Sequence, residues 1–150
     1  MAIYLAADHR GFKLKEVIKK MLGECGVAFE DCGAQSLNPN DDYVDFAIVA
    51  AQKITQNPSG HKGVFLCGSG HGMDMVANKF KGIRAALCWN VHVAEQSREH
   101  DDANVLVLPA DWVDEETAQE IIQTWLATRF SGEERHTERL KKVQKLELEW

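Results

Sequence analysis

A parallel α/β fold, one sheet between two layers of helices, is what this sequence predicts. Two observations lead there. Short apolar runs alternate with segments whose apolar residues recur at helical spacing. The clearest of those runs, at residues 2–7, is continuously apolar, as a strand buried on both faces must be. Five strands alternating with helices make a parallel sheet covered on both sides.

Each element has its own signal. The first strand, residues 2–7, ends at Asp8-His9-Arg10-Gly11. Phe12, Leu14, Val17, Ile18, Met21 and Leu22 predict a helix over 12–22, bracketed at its end by Gly23 and Gly26. A second strand covers 27–32 and closes at Gly33. Residues 36–42, rich in Asn, Pro and Asp, are loop. Val44, Ala47, Ile48, Ala51 and Ile54 share one helical face over 43–54, and Asn57-Pro58-Ser59-Gly60 breaks that helix. Strand three covers 63–67; a glycine loop and a short helix over 73–79 follow. Residues 82–88 are strand four, 91–99 a helix, and 104–108 strand five, stopped by Pro109. Asp114-Glu115-Glu116 puts acids in the first turn of a helix running to about residue 130, which complements its dipole. After Ser131-Gly132 a charged amphipathic helix fills 133–150. Pattern alone lets that helix pack on a second subunit or lie solvated. The whole is a Rossmann-like three-layer α/β/α arrangement over residues 1–150, with no repeat and no domain boundary.

At 150 residues the chain has the size of one domain, and 45% hydrophobic with 27% charged residues is a globular balance. The formal net charge of -6 argues against general nucleic-acid binding, which needs a basic face, yet leaves room for a local anion pocket. No apolar run approaches the ~20 residues of a membrane span. The chain begins directly in a strand-like run rather than a signal segment. Cys25, Cys32, Cys67 and Cys88 show neither CxxC nor zinc spacing, so free thiols in a reducing, cytoplasmic setting are expected.

The chemistry concentrates at Val64-Phe65-Leu66-Cys67-Gly68-Ser69-Gly70-His71-Gly72. A strand, a tight glycine loop and a helix start form a nest of N–H groups suited to an oxyanion or phosphate. A helix start also favours the thiolate of Cys67. The plainer alternative is a glycine-rich turn with a buried cysteine. GxGxG is not the dinucleotide fingerprint, and no GxxxxGK[ST] loop is present. Ligands of doubly wound sheets bind outside the carboxyl ends of strands at a topological switch point. If strands one and three are neighbours, Asp8, His9, Cys67 and the nest converge on one crevice; the alternative for Asp8-His9 is a helix cap. Arg135 and Arg139, four apart on the last helix, lie about 6 Å apart along its axis and can fork a phosphate, with His136 beside them. Their alternative is a solvated face paired with Glu134 or Glu138. His100 has the position of a C-cap before strand five. It therefore lies on the edge opposite its own subunit's crevice, and reaches a crevice only from another subunit.

These residues together resemble the type B ribose-5-phosphate isomerase family, which includes the bacterial galactose-6-phosphate isomerases. The resemblance covers nearly the whole chain. It rests on Ala7-Asp8-His9-Arg10-Gly11-Phe12 with Leu14-Lys15, on Asp42-Tyr43, on Cys67-Gly68-Ser69-Gly70 with Gly72, and on Ala77-Asn78-Lys79 with Gly82-Ile83-Arg84-Ala85. It continues through Ser97-Arg98, His100, Asp102, Asn104-Val105-Leu106, Arg135-His136 and Arg139. The resemblance implies aldose–ketose isomerisation through an enediolate, without metal or cofactor. It makes Cys67 the base between C1 and C2, Ser69 its assisting hydroxyl, and the N–H groups of Gly68, Gly70, His71 and Gly72 the enediolate cradle. It makes His100 the ring-opening acid–base group, with Asp8 polarising the ring oxygen or hydroxyls. His9, Arg135 and Arg139 become phosphate ligands, and Tyr43 a wall of the sugar pocket. It also implies a sugar-phosphate substrate and a homodimer or tetramer with shared sites, the last helix packing on the partner.

Four departures bear on substrate. Asp101 replaces a usual asparagine beside His100 and can only accept hydrogen bonds from sugar hydroxyls. Pro109-Ala110-Asp111 replaces a Gly-x-Arg turn whose arginine helps hold phosphate. His71 stands at a position often apolar or amide, where it meets substrate or replaces the missing charge. Val44 follows Tyr43 where relatives often have proline. A different short sugar phosphate, a free sugar, or a non-catalytic sugar-phosphate-binding subunit are the alternatives. The presence of Cys67, Ser69 and His100 weighs against the last.

Overall fold

The computed structural model describes residues 1–149. Its sheet holds β1 (Ile3–Ala7), β2 (Phe29–Asp31), β3 (Lys62–Cys67), β4 (Ala85–Leu87) and β5 (Val105–Pro109), all parallel, in the order β2-β1-β3-β5-β4. The helices are α1 (Phe12–Glu24), α2 (Tyr43–Ile54), α3 (His71–Ala77), α4 (Val91–Glu99), α5 (Glu115–Ala127) and α6 (Glu134–Leu148). The strand order reverses between β1 and β3, so the switch point lies where Asp8 and Cys67 end their strands.

The pleat sorts the core into two layers. Leu5, Ala7, Val64, Leu66, Leu106 and Leu108 face one way, against Leu14, Ile18 and Leu22 of α1 and Ile121, Ile122 and Trp125 of α5. Ala6, Phe65, Cys67, Val105 and Val107 face the other, against Ala47, Ala51 and Ile54 of α2 and Met73 and Ala77 of α3. Cys67 thus belongs to the core pattern of β3 and ends it at the crevice floor. Lys15 is fully buried on α1, its Nζ held by Asp31 Oδ2 at 2.6 Å and the Ala34 carbonyl at 2.5 Å.

Some boundaries differ from expectation. β4 begins at Ala85, three residues late. The Arg84 N–H goes to Asn104 Oδ1 at 2.8 Å and the Ala85 N–H to Asn78 Oδ1 at 2.9 Å. Side chains there take the bonds that a longer edge strand would have made. β2 shrinks to three residues at the opposite edge, where it has one neighbour only. α3 starts at His71 rather than at residue 73, because Gly70, at φ +79°, turns the chain directly into the helix. α5 stops at Ala127, and α6 covers Glu134–Leu148, with Trp150 outside the described residues. Among the residues described on α6, His136 is the buried one, while Val143, Leu146 and Leu148 are exposed.

Candidate active site

The crevice opens over the carboxyl ends of β1, β3 and β5. It has a volume of about 320 Å³ and is lined by Asp8, Arg10, Tyr43, Cys67, Gly68, Ser69, Gly72 and Asp111. Register brings them together: Ala7 pairs with Leu66 and Cys67 with Pro109. Beyond the strands, the Cys67 and Gly68 carbonyls accept the Ala110 and Asp111 N–H groups at 2.9 and 3.0 Å, stitching the two loops into one rim.

Cys67 is 5% exposed. Burial pushes its thiol up, and the nearby Asp8 carboxylate adds to that; the N–H groups of Met73, Gly70 and Gly72 hydrogen-bond to the sulfur and pull it down. Burial wins. The helix start does favour the thiolate, but the N–H nest opposes desolvation without overcoming it. Ser69 Oγ accepts the His71 N–H at 3.3 Å, so in this state it serves the helix start.

Two glycines leave little room for a side chain. A Cβ at Gly70 would sit 2.4 Å from Leu87 Cδ1, besides the positive φ. A Cβ at Gly72 would sit 2.4 Å from the Tyr43 ring, which walls the crevice. Asp42 caps α2 by accepting the Val44 N–H at 2.9 Å, which fixes where Tyr43 begins the helix.

Asp8 lines the crevice and closes the turn after β1 rather than capping α1, whose N-cap is Gly11 with no side-chain cap hydrogen bond. Its Oδ1 accepts the Arg10 and Gly11 N–H groups at 3.0 and 3.1 Å, capping the turn, while the buried carboxylate lines the crevice. His9 is turned toward the loop before α2: its backbone N–H and Nδ1 lie 2.9 and 2.7 Å from Asp41 Oδ1. Asp8, His9 and Asp41 bring one potential metal-ligand atom each within 4.8 Å of one another.

The remaining residues gather elsewhere. His100 ends α4, and its ring lies 4.4 Å, centroid to centroid, from His136 of α6. His136 Nε2 accepts from Arg135 Nε at 3.1 Å, so its Nδ1 carries the proton and donates to Ser131 Oγ at 3.0 Å. Arg139 is exposed on the same helix. Asp101 is exposed and borders a groove beneath α6, its carbonyl accepting from Arg84 Nε at 3.1 Å. His71 is exposed on α3. None of these lines the crevice of its own chain. Sequence reasoning missed Arg10 and Asp41. Arg10 bonds to Asp111 across Gly68, so a cation stands in the crevice after all, clasped by the acid that replaced the expected one. Its place two residues after Asp8 was the available signal; Asp41 gave none, since its pairing with His9 spans 32 residues.

The Ribose/Galactose Isomerase family model matches residues 3–143. The chain belongs to that family. It is an isomerase. It is 41% identical over 147 residues to the probable ribose-5-phosphate isomerase B of Mycoplasma pneumoniae, covering 98% of this chain and 95% of that one. The crystal structure of ribose-5-phosphate isomerase B from Mycoplasma genitalium with bound ribulose 5-phosphate superposes with a TM-score of 0.96 at 37% identity, over 99% of this chain and 97% of that one. That of ribose 5-phosphate isomerase from Thermotoga maritima gives 0.90 at 41% identity, over 96% and 97%. The isomerase's crevice therefore lies on a scaffold shared along its whole length with these enzymes.

Proposed function

We propose that the enzyme interconverts an aldose phosphate and a ketose phosphate of the ribose 5-phosphate and ribulose 5-phosphate type, through an enediolate and without a metal. The observation that carries this is Cys67, a buried thiol at the crevice floor with three backbone N–H groups aimed at its sulfur and Asp8 beside it. Cys67 takes the proton from C2 of the aldose and returns it to C1. Ser69 assists Cys67, and the N–H groups of the Gly68–Gly72 loop hold the charge that develops on the enediolate oxygens, a task where one donor is worth about 3–4 kcal/mol elsewhere. Asp8 polarises the ring oxygen or a hydroxyl, and Tyr43 bounds the sugar. His100, supplied by a second copy, opens the ring with Asp101 beside it; His9, Arg135 and Arg139 hold the phosphate, and His71 borders the loop. Residues 1–150 act as one domain in a homodimer or tetramer, with α6 on the partner. Four free thiols agree with a reducing cytoplasm.

The Arg10–Asp111 clasp favours a second reading, in which a shorter sugar phosphate, another hexose or pentose phosphate, or a free sugar is the substrate. The deciding experiment is a panel of aldose and ketose phosphates from four to six carbons against the free sugars, run with wild type and Cys67→Ala after exhaustive chelation. Conversion of ribose 5-phosphate that is lost in Cys67→Ala is expected. Turnover by Cys67→Ala, or loss of wild-type activity on chelation, overturns the mechanism.

A further inference from the structure

The opposite end of the sheet holds a second charged cavity that the isomerase reading does not use. It has a volume of about 410 Å³ and lies at the amino ends of β3, β4 and β5, walled by Lys62, Arg84, Arg98, Asp102, Ser59 and, from α6, Gln144. Its charges do not balance. Arg84 Nη2 reaches Asp102 Oδ2 at 3.0 Å and Arg98 Nη1 reaches Asp102 Oδ1 at 2.8 Å, so one carboxylate serves two guanidinium groups. Lys62 adds a third cation. Among the described residues its amine has no hydrogen bond or ion pair; it lies 5.6 Å from the centre of the Trp125 ring. Arg98 is 7% exposed and already holds Asp102, so the surplus falls on Lys62, itself half-buried and partly desolvated.

The arrangement is held rigid. Asp102 has φ +45°, the left-handed region, and its carbonyl accepts from Arg84 Nε and Nη2 at 3.0 and 2.8 Å. Arg98 Nη1 also donates to the Ala103 carbonyl at 2.6 Å. Both guanidinium groups are thereby fixed, and Lys62 is left as the donor without a hydrogen-bond partner among the described residues.

We infer that this cavity is a binding site for a small phosphate-bearing anion, separate from the crevice and at the other end of β3. A tetrahedral oxyanion accepts several hydrogen bonds at once, which suits a cavity walled by one ammonium and two guanidinium groups. Burial pushes the Lys62 amine below the usual lysine range, and Arg98 and Arg84 push it the same way against Asp102. A bound anion reverses that and protects the amine. With Gln144 on the wall, the anion also ties α6 to the sheet.

The test reads the acylation rate of Lys62 in the intact enzyme by peptide mass spectrometry, with inorganic phosphate as the probe. Phosphate at about ten times its dissociation constant should slow acylation about tenfold, by occupancy alone. Sodium chloride at equal ionic strength should not. The protection should persist in the Arg135→Ala/Arg139→Ala double variant, which separates this cavity from phosphate bound at the crevice. Equal effects of chloride and phosphate mean screening only and overturn the site. Loss of protection in the double variant means transmission from the crevice and overturns it too.

Discussion

Cys67 shows how a residue's position sets the terms of its chemistry. Its sulfur is placed by β3's alternation and desolvated by the same core, with three N–H groups as compensation. The thiol therefore titrates above its ordinary value, and the base form grows with pH. The expected profile of kcat/KM rises from neutral into the alkaline range, inflecting above an unperturbed thiol; a plateau reached well below that value would assign the base to another group. Cys32 and Cys88 are pushed up to about 11 by burial and should stay inert to alkylation, whereas Cys25 is exposed. Iodoacetamide in a Cys25→Ser background should thus inactivate in step with Cys67 labelling. Asp31 titrates the other way. Burial raises its carboxyl, but Lys15, Lys19 and the Gly33 N–H overcome that and hold it below its usual range. A depressed folded value contributes stability that is complete above the unfolded pKa and is lost as pH falls through the folded one. Asp31→Ala strands a fully buried Lys15 and should cost about 3–5 kcal/mol in urea unfolding at neutral pH. A loss below about 1 kcal/mol would mean that Lys15 finds water or Glu16 instead.

At the scale of elements, the glycine loop and the α4–α6 junction divide the work. Gly70→Ala meets both a positive φ and Leu87, so it should lower stability by more than the 1–2 kcal/mol of the backbone alone. Gly72→Ala should displace Tyr43 and raise KM with little change in melting temperature. Arg135→Ala and Arg139→Ala should raise KM for a phosphorylated substrate more than they lower kcat, because a remote phosphate contributes mainly uniform binding. If both are silent while the free sugar is turned over equally well, α6 is a solvated face. The glycine spacing and the acid-rich start of α5 were legible in sequence because they are local. The late start of β4 was not, since it depends on Asn104 and Asn78 reaching across the fold.

For the whole molecule, the distance between the two groups proposed for catalysis becomes the prediction. His100 sits at the amino edge of the sheet, before β5, and Cys67 at the carboxyl edge of β3, a separation of about one strand length, ~17–20 Å. The proposed two-fold dimer would make each contact twice and bring each His100 to the other crevice. Mixing inactive Cys67→Ala with inactive His100→Ala protein, under conditions of subunit exchange, should restore up to half of the sites in each mixed dimer. Exchange without recovered activity would remove either the shared site or His100 from the mechanism.

What this sequence determined by itself was whatever a short window encodes. Apolar runs and helical spacing are set by which faces a segment must bury, so the parallel sheet, its helices and the Cys67 loop were readable before any coordinates. The neighbours β1 and β3, and with them the meeting of Asp8 with Cys67, were legible only as a condition that the strand order β2-β1-β3-β5-β4 meets. Tertiary structure alone decided the contacts between residues far apart in sequence. Arg10 reaches Asp111 across 101 positions, Asp41 binds His9 across 32, and Lys62 lines one cavity with Arg84 and Arg98 at the far edge of the sheet. It also decided the sign at Cys67. The nest that lowers a thiol is written in the glycines, but the desolvation that outweighs it comes from the core packed around β3, and burial is a property of the packed fold rather than of any segment.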